Sequence, residues 1–157
     1  MKNLLLLAVL SAFLLASCAT KPKKAQIANP FVDCKTLAEG CQLAGYQFAV
    51  PERINDYVMT DVRAITGNFL EIIYRIPGDK SDEVRLRKAY MMDDASGDYR
   101  NFQLVKGISV SGKKVLLKGE PNCFHVAIWT HGKYGYAVNA QKGLPEELMQ
   151  ALAATVD

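Results

Sequence analysis

Residues 57–76 read YVMTDVRAITGNFLEIIYRI. Two runs rich in Val, Ile, Leu and Tyr flank Gly67-Asn68, a dipeptide suited to a two-residue hairpin turn. The hairpin makes the middle of the chain antiparallel β-structure. Further strands are expected on its C-terminal side. EVRLRKAYM (83–91) is the next run, where Val84, Leu86 and Ala89 alternate only imperfectly with Arg85, Arg87 and Lys88. FQLVKGISV, KKVLLKG, CFHVAIWT and YGYAVNA follow, with Ser111-Gly112 and Gly132-Lys133 between them. Such short connections join antiparallel neighbours. DDASGDYRNF (93–102) breaks the pattern and reads as a turn or short helical loop.

Helices bracket this β-region. In TLAEGCQLAG (36–45), Thr36 and Glu39 form a capping box, with Thr36 as N-cap. Leu37, Gly40, Cys41 and Ala44 fall on one face, and Gly45 suits the stop. YQFAVP is then extended, ending at Pro51. At the other end, LPEELMQALAATV places Pro145 in the first turn and Glu146 and Glu147 at the positive end of the helix dipole. Leu148, Leu152 and Val156 form its expected apolar stripe. The order of helix, about seven strands and helix predicts an α+β fold. An antiparallel sheet would carry the N-terminal and C-terminal helices packed on it.

The N-terminus is of a different kind. Lys2 precedes the almost wholly apolar run Leu4 to Leu15, then Ala16, Ser17 and Cys18. A charged start, a short apolar run and small residues describe a secretory signal peptide. The run falls short of the roughly 20 residues a spanning helix needs. Leu15-Ala16-Ser17-Cys18 resembles the bacterial lipobox, which implies cleavage before Cys18 and a diacylglycerol thioether on it. Several acyl chains give stable anchoring where one does not. The expected domains are a lipoprotein signal peptide at 1–17, a lipidated tether at 18–29 and a single α+β domain at 30–157. The tether is polar and basic, with Lys21, Pro22, Lys23 and Lys24. Ala19, rather than Asp, follows the lipid site. The lipobox resemblance brings with it the sorting rule of lipoproteins, which implies the periplasmic side of an outer membrane if the host has one, and otherwise the outer face of the cell membrane.

The formal charge is +3 over 157 residues. That is too weak for a nucleic-acid partner, which an exported protein would rarely meet. The expected partners are the membrane, through its lipid anchor, and an envelope protein or lipid.

Several motifs together resemble a bacterial extracytoplasmic domain found in small lipoproteins and in the outer portions of membrane proteins similar to anti-sigma factors. They are NPFVDCKTLAEGCQLAGYQFAVPE, FLEIIYR, RLRKA with DDASGDY, VLLKGE and VAIWTHGKYGYAV. The resemblance spans residues 29 to 156. It implies a fold and an address but no established chemistry. Cys41 and Cys123 depart from its pattern, where polar or charged residues are expected.

Cys34, Cys41 and Cys123 remain after lipidation of Cys18. An exported compartment is generally oxidising. A Cys34–Cys41 bridge is disfavoured by about 10 Å of helical rise. Cys123 opens a strand and can pair with either, Cys41–Cys123 being slightly preferred. Three reduced, buried thiols are the plain alternative. No C-x-x-C points to redox chemistry, and only His125 and His131 add imidazoles, without metal-ligand spacing. No metal or cofactor is expected. Ser96 and Ser111 lie outside any G-x-S-x-G elbow. Asp93, Asp94 and Asp98 lack the calcium-loop pattern. Ser96 or Asp94 reads as a cap and Gly97 as a turn, with Arg85 and Arg87 pairing to Asp94 or Asp98. Together with Tyr99 these form the expected surface contact loop.

The function expected is a non-catalytic binding, assembly or envelope-maintenance module, with no catalytic residues. One alternative is a carrier or sensor of a hydrophobic ligand held between sheet and helices. The other is an enzyme of unrecognised type.

Overall fold

The computed structural model describes residues 29–157. The expected signal peptide, Cys18 and the expected tether up to residue 28 lie outside the described residues. The elements are β1 (Val32–Cys34), α1 (Leu37–Ala44), β2 (Arg53–Ile54), β3 (Tyr57–Ile65), β4 (Phe69–Arg75), β5 (Glu83–Tyr90), β6 (Leu104–Val110), β7 (Lys113–Glu120), β8 (Cys123–His131), β9 (Tyr134–Leu144) and α2 (Glu146–Thr155). All nine strands join one open antiparallel sheet in the order β1-β3-β4-β5-β9-β8-β7-β6, with β2 also on β3. The class is α+β, as expected, and β3 to β9 correspond to the seven expected strands. The two extra strands, of three and two residues, are too short for alternation to register.

The β3–β4 connection differs from the expected two-residue turn. Ile65 pairs with Phe69, so three residues separate the strands. Asn68 N donates to Ile65 O at 3.0 Å, and Gly67 has φ +70. A positive φ at the third residue is that of a type II turn.

Both helices lie on one face of the sheet. Thr36 caps α1 by accepting from Glu39 N at 3.1 Å, while Glu39 Oε2 accepts from Lys35 N at 2.7 Å. Gly45 ends the helix at φ 82, a conformation a side chain disfavours, and its N–H reaches Cys41 O. Cys41 and Ala44 pack with Val62, Leu70 and Ile72. The buried line of α2 is Met149, Leu152, Ala153 and Val156, with Leu148 only half-buried. The expected stripe is therefore turned toward Met149. α2 packs on β8 and β9, and Tyr46, Phe48 and Val50 join the same buried cluster. Each fully buried large apolar side chain contributes about 1.5–3 kcal/mol. The helices are bridged by Tyr46–Val50, whose Ala49 N donates to Asp157 O at 2.7 Å.

β5 sits mid-sheet and alternates strictly, unlike its appearance in sequence. Val84, Leu86 and Lys88 face the helices, while Arg85 and Arg87 face the other way. The chain must next reach β6 at the far edge, beyond β9, β8 and β7. It does so as a strap, residues 91–103, over the face without helices. Ala95 of the strap is buried with Phe69, Ala89 and Ala137. A Cβ on Gly135 of β9 would collide with the Met92 carbonyl, so this residue must be small for the strap to cross.

Candidate functional site

Cross-strand register builds the charged floor beneath the strap. Glu71 on β4 is directly opposite Arg63 on β3 and Arg87 on β5. Glu71 is fully buried and accepts from Arg63 Nε at 3.0 Å and Arg87 Nε at 2.7 Å. Burial alone would push its carboxyl up, but Arg87 and Arg63 outweigh it and hold the group below the usual range. Glu83 accepts from Arg85 Nε at 2.6 Å and Arg75 Nη2 at 2.9 Å. Arg87 Nη1 and Asn139 Nδ2 both donate to the Ser96 carbonyl, which fastens the strap to β5 and β9.

Above this floor lies an open groove of about 730 Å³. Glu83, Arg85 and Arg87 line it from β5, Asn139 from β9, and Asp98, Tyr99 and Arg100 from the strap. Tyr99 is 94% exposed, so its ring is held out with almost no protein contact. Arg100 donates to both carboxylate oxygens of Asp98, at 3.0 and 3.1 Å from Nε and 2.7 Å from Nη2. That hydrogen bond keeps Asp98 ionised well below its ordinary range.

Of the expected contact residues, Arg85, Arg87, Asp98 and Tyr99 do meet at this groove. The expected pairings differ. Arg85 and Arg87 reach Glu71, with Arg85 also on Glu83, because register puts Glu71 opposite Arg87. Asp98 takes the neighbouring Arg100, and Asp94 takes Lys118 at 3.2 Å. Asp94 Oδ1 also accepts from the Ser96 amide at 2.8 Å, while Ser96 Oγ accepts from Asp98 N at 3.2 Å. The expected Asp and Ser turn chemistry is thus present, and Gly97 has φ +58. Sequence reading missed Arg63, Glu71, Arg100 and Asn139. A charged residue inside the apolar run FLEIIYR was the available signal for Glu71.

A second polar group sits in the core. Lys88 is buried on the helix face, and its Nζ donates to Gln47 O at 2.9 Å. The rings of Tyr134, Tyr136, Tyr46 and Phe48 surround the Nζ at 4.6, 5.1, 5.5 and 5.9 Å. Burial lowers its pKa, with Asp157 and then Cys41 opposing. Trp129 stacks on Tyr136, its direct cross-strand partner, at 5.4 Å. These side chains fill the space between sheet and helices. An apolar trough of about 480 Å³ lies elsewhere, beside β6, β7 and β8, with Ile108, Leu116 and Ile128 in its lining.

Cys34, Cys41 and Cys123 are free thiols. Cys41 lies over β3 and β4 with Val62 and Leu70, whereas Cys123 opens β8 and donates to Lys142 O at 3.5 Å. β4 and β8 are three strand spacings apart, about 14 Å. The preferred Cys41–Cys123 bridge is therefore not formed, since disulfide geometry requires Cα atoms within about 7 Å. Cys34 lies on β1, farther still from Cys123 in the sheet order. His125 Nδ1 lies 3.1 Å from Ala140 O and its ring stacks on Phe102. His131 meets Asp157 at 3.0 Å instead. Among the described residues, no three His, Cys, Asp or Glu side chains gather as a metal site, and no helix is long and apolar enough to cross a membrane.

No family model, curated protein or solved structure matches the chain.

Proposed function

We propose that the chain is a membrane-anchored, non-catalytic binding module of the bacterial envelope, attached through a lipidated Cys18. Its binding surface is the groove between β5, β9 and the strap. The observation that carries the binding reading is the convergence of Arg85, Arg87, Asn139 and the outward ring of Tyr99 on one open groove of about 730 Å³. Exposed Arg and Tyr are the side chains that most often anchor partners. Glu71 beneath it and Asp98 in its wall are held ionised by arginines, a state suited to fixed electrostatics rather than proton transfer. The lipobox and the motif resemblance support the address. The apolar trough at Ile108, Leu116 and Ile128 favours a second reading, a carrier of a hydrophobic ligand on the open face.

Two measurements test this. Fatty-acid labelling should mark the wild type and not Cys18→Ala; equal labelling refutes the anchor. Crosslinking in intact envelopes, compared between wild type and a Tyr99→Ala/Arg100→Ala variant, tests the groove. Crosslinks specific to the wild type support it, and identical sets move the surface elsewhere. Lipid recovered instead in the trough supports the carrier.

A further inference from the structure

The exposed apolar side chains are not scattered. Among the described residues, the large exposed hydrophobics are Val32, Tyr90, Met91, Met92, Tyr99 and Val105. Four of them lie at one end of the sheet. Val32 pairs with Ala64, one residue before the end of β3. Tyr90 N donates to Asn68 O in the β3–β4 turn at 2.9 Å, and Met91 N donates to Lys133 O in the β8–β9 turn at 2.8 Å. Met92 follows directly.

Met91 forms the apex. It is 74% exposed and has φ +53. The other non-glycine residues with positive φ are Asn55, Ser111 and Asn122. Asn and Ser are ordinary turn formers, whereas Met is not. The backbone thus adopts an unfavourable conformation at the residue whose apolar side chain faces water.

The described chain also begins at this end. Phe31 packs edge-on against Phe69 at 5.6 Å, and Phe69 pairs with Ala89, next to Tyr90. Ten residues lie between Cys18 and Asn29, which makes eleven Cα–Cα steps. Such a segment spans about 36 Å when fully extended, and about 18 Å on average if flexible. A lipid on Cys18 would hold this end, rather than the opposite one, near a bilayer. The groove lies toward the Glu83 end of β5. Its β5 lining runs from Arg87 to Glu83, three to seven residues of strand from Tyr90, or about 10 to 24 Å.

We infer that Val32, Tyr90, Met91 and Met92 form a membrane-docking tip that inserts into the lipid interface and turns the groove away from the bilayer. The occupant is a phospholipid surface, and the inference rests on the Cys18 anchor proposed above. Insertion of about 5–10 Å suits apolar and aromatic side chains beside a cation. Lys133, exposed in the adjoining turn, supplies the cation.

The test uses full-length lipidated protein in phosphatidylcholine vesicles, with and without brominated acyl chains. Tryptophan is introduced singly by Met91→Trp, Met92→Trp or Tyr99→Trp, and circular dichroism verifies folding. The wild type, whose one tryptophan, Trp129, is buried, serves as the blank. In vesicles that float, Met91→Trp and Met92→Trp should shift to the blue and lose most of their added emission to brominated lipid. Tyr99→Trp should do neither. Floating vesicles with Met91→Trp and Met92→Trp both unquenched overturn the docking tip and leave the anchor standing. Quenching of Tyr99→Trp to the same degree overturns the end-on orientation. Protein that does not float removes the anchor, and the inference with it.

Discussion

Glu71 on β4 stands directly across the antiparallel ladder from Arg87 on β5, and its Oε2 accepts from Arg87 Nε at 2.7 Å. Arg63 holds the same carboxylate from the other side, and Arg87 continues to the Ser96 carbonyl. One buried carboxylate thereby holds together the guanidinium groups that support the strap and its groove.

Glu71→Gln should destabilise the domain strongly, by about 3–5 kcal/mol, because it leaves clustered guanidinium groups without their buried counter-charge. Urea unfolding measures it. A loss well under 1 kcal/mol would show that water already screens the cluster.

Acid should act through the same group. The folded pKa of Glu71 lies below its ordinary value, so its stabilisation is fully present above that value and is lost as pH falls through the folded pKa. Asp94 and Asp98 behave alike. Thermal midpoints should fall below about pH 4.5, and less steeply in Glu71→Gln.

Lys88 has the opposite sign. Its folded pKa is lowered, so between that value and the unfolded one the unfolded chain binds the extra proton and stability rises with pH. Lys88→Met should abolish this rise and cost no more than about 1 kcal/mol at neutral pH, since it keeps the apolar stem. Lys88→Ala should cost about 2–5 kcal/mol by opening a cavity among four rings. At higher pH the trend reverses. Burial and the Asp82 carboxylate push the Tyr57 hydroxyl up to about 12, so stabilisation complete below pH 10 is lost as pH rises through that value. Melting curves from pH 7 to 12 test both limbs.

Gly135→Ala should lift the strap, since its methyl group occupies the place of the Met92 carbonyl. Amide exchange across residues 91–100 should accelerate while α1 stays protected. Unchanged exchange would mean the strap is not held by this contact.

The three thiols should all alkylate after denaturation without reductant, and peptide mapping should find no Cys41–Cys123 link. Cys123→Ser should be nearly neutral. Cys41→Ser should cost roughly 1–3 kcal/mol, because it buries a hydroxyl.

Local periodicity and local hydrogen bonding make part of this fold legible in the chain. The Thr36 cap, the Gly45 stop, the seven longer strands and the two-residue turns at Ser111-Gly112 and Gly132-Lys133 all follow from residues within a few positions of one another. Tertiary structure decided what depends on which strands become neighbours. β5 lies beside β9 rather than β6, so the SGDY segment had to become a strap, and no residue within it records that distance. Register alone set Glu71 against Arg63 and Arg87, displacing the nearer Asp94 and Asp98 from the arginines. Sheet order likewise separated Cys41 from Cys123. The alternation of β5 delivered Lys88 into an aromatic cage assembled from β9 and the Tyr46–Val50 bridge. Local sequence carries local energies, whereas the choice of partner across a sheet is a property of the whole buried surface.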